Sequence, residues 1–221
     1  MEVQDPTKVR LIDAAGEEFA DKGFSAARVR DICVRAGANG AAVNYHFGDK
    51  EQLYVETVLC AHHCGMDMEE LPSNEEAGPA EQLRAFVHGF LSRVLAIDEP
   101  NAWRHRLMLR ELTQPTPASD VLVREVIRPK FERLLEILRR FRPDDPDQKL
   151  YAFAFSVIGQ CLHYRMARPV AERLIGAETL ETLDLEFLTE HITTFSLAAL
   201  ERAASEQDRE SPRLIEAKPS L

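Results

Sequence analysis

Hydrophobic residues recur along this chain at helical spacing, and the strict alternation that a strand requires is nearly absent. The first stripe, Ile12, Ala15 and Phe19, follows Asp5-Pro6, a pair suited to an N-cap and the first helical position. Gly23 predicts the end of that helix in a left-handed conformation, with Phe24 folding back onto the core. A second helix is expected over 28–36, with Val29, Ile32 and Cys33 inward. A tight turn, Gly37-Ala38-Asn39, then leads into a third short helix over 40–46. Asp49 and Gln52, three residues apart, are placed to cap a fourth helix reaching Met68.

The stretch 69–79, with two prolines, a glycine and four glutamates, reads as a loop. Helices are then predicted over 80–97, 102–113, 119–141, 147–167 and 182–203, separated by proline-bearing breaks at 114–117, 142–146 and 168–169. The polar tail 204–221 reads as disordered. The expected fold class is all-α. A three-helix, helix-turn-helix domain is expected over 1–50, and a larger helical domain over 51–203.

Composition adds three constraints. The four cysteines (Cys33, Cys60, Cys64, Cys161) lie in apolar, helix-like contexts rather than a disulfide framework, which points to a reducing, cytoplasmic home. The N-terminus is acidic, unlike a signal peptide, and the apolar stretch 151–162 falls short of the roughly 18 residues of a membrane span. Net charge is −10, which by itself argues against nucleic acid. Its distribution reverses that reading. Between Lys22 and Lys50 five basic residues face two acidic ones, a balance of +3, which leaves −13 on the rest of the chain. A basic patch on an acidic body grips phosphates while the remainder suppresses non-specific binding.

Two short helices joined by a glycine-bearing turn are the reading unit of helix-turn-helix proteins, whose second helix enters the major groove. Here that helix offers small residues, Gly40, Ala41 and Ala42, with Val43 and Phe47 as its apolar back. Lys22-Gly23-Phe24, Val29-Arg30-Asp31-Ile32, Arg35-Ala36-Gly37 and the run Asn44 to Tyr54 resemble the N-terminal domain of the TetR (tetracycline repressor) family over about 50 residues. The later chain is similar to the CecR-like branch of that family, in Trp103 to Leu112, Val126-Ile127-Arg128-Pro129, Ser156 to Cys161 and His191 to Ser196. The resemblance implies an all-helical homodimer, an effector pocket in the larger domain, and repression of a pseudo-palindromic operator relieved by a small molecule. One departure stands out: the family often has a hydroxyl residue capping the second helix, where this chain has Ala27 followed by Arg28.

On the matched positions the reading surface is expected at Asn39, Gly40, Ala41, Asn44 and Tyr45, with Arg28 in support. Asparagine pairs bidentately with adenine, and a small side chain meets a thymine methyl. Tyr45, His46 and Lys50 suit phosphate contacts that set register, while packing against the first helix is the other reading for Tyr45 and His46. An effector pocket is expected from polar residues on otherwise apolar helices: Phe86, Phe90, His105, Met108, Glu111, Phe155, Gln160 and His163. The same pattern also suits a dimer interface. Tyr164, Leu188, Ile192, Phe195 and Ala199 are assigned to that seam, the last four forming one stripe at steps of four, three and four.

Cys60, His63 and Cys64 share one region of the fourth helix and admit a metal or thiol reading, but three positions on one helix do not make a closed zinc site, and apolar packing is the simpler role. No metal or cofactor is assigned. No His-Glu-x-x-His, Gly-x-Ser-x-Gly or phosphate-cradling loop is present, and Cys161 and His163 point away from each other on a helix, so no enzyme is expected. The closer rival is a helical ligand-binding protein whose DNA head has decayed. The acidic body favours neutral, partly aromatic effectors, although Arg104, Arg106, Arg110 and Arg165 oppose that preference locally.

Overall fold

The computed structural model of the chain describes residues 5–63, 77–96 and 102–210, without the side chains of 63 and 203–210. Among the described residues there are twelve α-helices and no strand: α1 Pro6–Ala26, α2 Val29–Arg35, α3 Ala42–Phe47, α4 Lys50–His63, α5 Pro79–Leu95, α6 Ala102–Thr113, α7 Ala118–Leu122, α8 Arg128–Phe141, α9 Asp147–Met166, α10 Arg168–Ile175, α11 Ala177–Glu181 and α12 Leu185–Glu210. The all-α expectation holds. The chain forms two compact units, one from 1–70 and 96–132, the other from 71–95 and 133–221. Packing therefore carries the first unit beyond the three-helix head expected over 1–50, because α4, α6 and α7 share its core.

In that unit Leu11, Ala15 and Phe19 of α1 are buried against Leu53, Tyr54 and Val58 of α4 and against Trp103 and Leu107 of α6. The aromatic rings lock edge to face: Phe19 and Tyr54 have centroids 4.7 Å apart, and Phe24 folds back to within 5.0 Å of Tyr54. Asp5 caps α1 as expected, its carboxylate accepting the Thr7 amide at 2.8 Å. Gly23 differs from the expected left-handed cap. Its φ of 76° and ψ of 169° form a kink that only glycine adopts readily, and one further turn, to Ala26, follows it. A side chain there would also meet the Arg110 guanidinium at 2.7 Å.

The 119–141 helix is interrupted by a π-helical turn, Val123–Ile127, in which the Arg128 amide reaches back to the Val123 carbonyl. Pro129 supplies the reason: it has no N–H to give Glu125, and its ring would crowd that carbonyl in a regular helix. Pro169 was expected to break the chain, but it occupies the first turn of α10, where a missing N–H costs nothing. The tail reading needs correction as well. Helix α12 runs on to Glu210, through 204–210, and 211–221 lie outside the described residues, as do Cys64, Met68 and most of the 69–79 loop.

The second unit is built on α5, which packs against α9 and α12 through Leu83, Phe86, Val87 and Leu91. Arg142 and Asp145 form a buried bidentate pair at 2.7 and 3.1 Å beneath the α8–α9 turn. That guanidinium holds the Asp145 carboxyl below the usual carboxylate range. No helix among the described residues is long and apolar enough to cross a membrane.

Gly16 marks the tightest approach of α1 to α6: a Cβ there would lie 2.3 Å from the Trp103 ring, whereas one on Gly40 meets nothing within 4 Å. Gly16→Ala is expected to cost about 1–3 kcal/mol by overpacking, and Gly40→Ala close to nothing. Urea denaturation of the two variants, with unchanged slopes, checks the contrast.

Candidate nucleic-acid interface

The turn between α2 and α3 is fully specified by its backbone. Gly37 takes φ 60°, its amide reaches the Val34 carbonyl at 3.1 Å, and the Ala38 amide reaches Cys33 at 2.9 Å. These two bonds make a Schellman motif, which closes α2 and lets the chain reverse at once. Asn39 then accepts the Ala41 amide through its side-chain oxygen at 3.0 Å, starting the turn that becomes α3. Its carbonyl is thereby engaged in holding the loop, leaving the amide NH2 free to donate.

Helix α3 is only six residues long and is held by its back. Val43 and Phe47 are buried, while Ala41, Asn44 and Tyr45 occupy the opposite side and are exposed. Tyr45 is 85% exposed, which rules out packing against α1. His46 is different: its ring is largely covered and stands 3.8 Å from the Asp5 carboxylate at the start of α1. The packing reading therefore fits His46 and not Tyr45. Asp5 is in turn held below its ordinary range, chiefly by the Thr7 amide and in part by His46.

The basic residues counted along this segment separate into two groups. Lys22 is bound to Glu18 at 2.5 Å and faces Asp31 at 3.5 Å, and Arg35 bonds Glu17 and faces Glu18. Both serve the internal structure, answering the buried Glu18 carboxylate. Arg28 and Arg30 remain exposed at the start of α2 with no acidic partner among the described residues. Lys50 lies over the Phe24 ring at 4.8 Å and donates to the Ser25 carbonyl at 3.4 Å, which fixes its stem at the start of α4. Asp49 caps α4 through the Gln52 amide at 2.8 Å, as expected. The missing cap of α2 falls one residue later than the sequence suggested. Arg28 occupies the cap position with no side-chain bond, and Ala27 is instead a buried core residue.

The sequence profile of bacterial regulatory proteins of the tetR family matches residues 11–57, and that of the C-terminal domain of the HTH-type transcriptional dual regulator CecR matches 79–200, more than half of the chain. The chain belongs to the TetR family, in its CecR branch. Over 199 residues this TetR-family regulator is 26% identical to the HTH-type transcriptional dual regulator CecR of Shigella flexneri, covering 84% of this chain and 87% of that one. It is 28% identical over 83 residues to the HTH-type transcriptional repressor NicS of Pseudomonas putida, which is 38% of this chain and 39% of that one. A TetR-like transcriptional regulator from Rhodococcus sp. RHA1 shares the fold with a TM-score of 0.57 at 19% identity, over 88% of this chain and 96% of that one.

The residues expected to line a pocket are divided between the two units. His105, Met108 and Glu111 belong to the first unit and Phe86, Phe90, Phe155, Gln160 and His163 to the second. Glu111 is a structural carboxylate, buried and accepting from Tyr54 Oη at 2.7 Å, from the Thr116 amide at 3.0 Å and Thr116 Oγ1 at 2.9 Å, and from Ser119. Desolvation pushes its pKa up, but the bonds from Ser119, Tyr54 and Thr116 outweigh burial and hold it below the ordinary value. Met108 packs against the core of the first unit. Phe86 is core and stacks on the half-buried Phe90 at 6.1 Å, whereas Phe155 and His163 face solvent on α9 and Gln160 donates to Ser156 of its own helix.

The stripe assigned to the dimer seam is likewise divided. Leu188 and Ile192 are buried inside their own unit, Tyr164 and Ala199 are half-buried, and Phe195 is exposed. The outward face of α12 is set one position earlier, on Phe187, His191 and Phe195, whose rings follow one another at 6.3 and 6.5 Å. A stripe of period 3.6 does not say whether it meets its own subunit or another, so Phe187 and His191 went unassigned.

Because the folded pKa of Glu111 is depressed, its stabilisation is fully present above the unfolded value and is lost as pH falls through the folded one. Glu111→Gln is therefore expected to flatten the decline of stability below about pH 4.5, and Tyr54→Phe to cost about 1–2 kcal/mol at neutral pH. Urea midpoints measured across pH 3–7 read both effects.

Proposed function

We propose that this TetR-family regulator is a homodimeric, ligand-responsive repressor that binds a pseudo-palindromic operator and is released from it by a small-molecule effector. The observation that carries the DNA-reading part is the two-sided α3: Val43 and Phe47 lock its back, and Ala41, Asn44 and Tyr45 stand free on its front. Asn44 is the base reader, its amide suited to adenine, and Ala41 and Gly40 allow close approach to a thymine methyl. Tyr45, Arg28 and Lys50 contact phosphate and set the register. Asn39 supports the turn and offers its remaining donors. His46 steadies α3 against the start of α1.

The dimer reading rests on the exposed aromatics of α9 and α12, Phe155 at 64%, Phe187 at 52% and Phe195 at 59%. Large rings left in water at helical spacing on two long helices form the kind of patch that a second subunit covers. The reading helices of the dimer then lie about 34–36 Å apart, one turn of DNA. Repression, rather than activation, is favoured by the likeness to a protein named a repressor, and the effector is a small molecule bound in the second unit.

Selection of bound sequences from random duplex DNA is expected to return an inverted repeat, and sedimentation with that duplex to give two chains per site. One chain on a single half-site would sink the proposal. On the selected duplex, Asn44→Ala is expected to lose discrimination against scrambled DNA. Lys50→Ala weakens both and lowers the salt slope by about one. Phe187→Ser with Phe195→Ser is expected to give folded monomers, read by sedimentation and circular dichroism.

A further inference from the structure

Between Ala36 and Phe47 the reading segment carries no lysine, arginine, aspartate, glutamate or glutamine. It therefore has no guanidinium fork for guanine and no carboxylate for the amino group of cytosine. The cations that flank it are held by other groups: Arg35 bonds Glu17, and Lys50 donates to the Ser25 carbonyl. His46 is turned toward Asp5, and Tyr45 offers one rotatable hydroxyl without a paired donor and acceptor. Reading of base edges on this surface falls to two exposed amides, Asn39 and Asn44.

The two amides are not equivalent. Asn44 lies on the front of α3, and neither of its side-chain polar atoms has a partner among the described residues. It keeps a donor and an acceptor side by side, the pair that adenine requires. Asn39 has committed its acceptors. The Ala41 amide donates to its Oδ1 at 3.0 Å, and the Ala42 amide donates to its backbone carbonyl at 2.9 Å. A backbone N–H can only donate, so the atom that meets Ala41 is the oxygen, and the NH2 is the end left over. Turning the oxygen to a base would break the bond that starts α3, whereas donating from the NH2 leaves it intact. The surface beside it is open, since a Cβ on Gly40 would meet nothing within 4 Å.

A donor alone reads an acceptor. In the major groove adenine presents N7, guanine N7 and O6, and thymine O4, while cytosine presents only its amino donor. Such a residue selects against one base instead of for one. We propose that Asn39 is a donor-only specificity residue that excludes cytosine from one position of each half-site, while Asn44 fixes adenine at another. The proposal rests on the reading of α3 as the helix that enters the major groove.

The test is selection from random duplex DNA with the full chain and with its Asn39→Asp variant. The carboxylate keeps an acceptor for the Ala41 amide, so thermal melting should be retained, but it puts an acceptor where the donor stood. In the parent chain cytosine is expected to be depleted at least about fivefold at one symmetry-related pair of positions where the other three bases are tolerated. In Asn39→Asp the ranking at that pair alone should invert, with cytosine preferred, while the adenine read by Asn44 stays. The added negative charge weakens binding to every duplex, so the ranking within each selection is the readout. An inverted repeat whose base ranking is the same for both chains would overturn the proposal and leave DNA reading intact. No enriched sequence with either chain would overturn both. If Asn39→Asp fails to fold, Asn39→Ser decides. Its hydroxyl both donates and accepts, so the depletion of cytosine is expected to vanish, and its persistence would overturn the proposal.

Discussion

A single buried carboxylate constrains where the helix behind the reading head can sit. Glu111, on α6, is 2% exposed and stays ionised only because α4 and the segment after α6 bring their donors to it: Tyr54 from one side, Thr116 and Ser119 from the other. A charge in such a place is costly if any partner leaves, so the bonds hold α4, α6 and the start of α7 as one block. The same Tyr54 is the ring against which Phe19 and Phe24 close the core of α1. Displacing α4 would break the carboxylate network and the aromatic cluster together.

The DNA-facing surface depends on that block because α3 is too short to hold itself. Six residues make little more than one turn, and isolated helices of that length are not stable in water. The helix persists because Val43 and Phe47 are buried behind it and the Schellman turn before it fixes the entry of the chain. Charge is used with the same economy. Lys22 and Arg35 neutralise Glu17, Glu18 and Asp31 inside the head, and Arg28 and Arg30 are left exposed without an acidic partner among the described residues. A local charge of +3 therefore describes a surface whose free cations are fewer, and better placed, than the total implies.

The second unit shows the reverse arrangement, with aromatic rings turned outward. On α12, Leu188, Ile192 and Leu200 are buried in their own unit, while Phe187, His191 and Phe195 are left on the outside. Two apolar stripes on one helix mean two neighbours, and a single unit supplies only one of them.

What the sequence by itself determined is whatever short-range chemistry decides. Asp5-Pro6 and Asp49 with Gln52 mark two helix starts, and Gly37 marks the turn between α2 and α3. Val43 and Phe47 mark the back of α3, and the ordered motifs from Lys22 to Tyr54 mark the family. Each of these needs only neighbours within a few residues, so each was legible before any fold was known. What the tertiary structure decided is which partner a side chain meets across the chain. Glu111 was assigned to a pocket and proved to be a carboxylate satisfied from 57 positions away. Leu188 and Ile192 were assigned to a seam and proved to be core, because a stripe of period 3.6 is the same whichever helix covers it. Lys22 and Arg35 counted as DNA-binding charge until their carboxylates were seen.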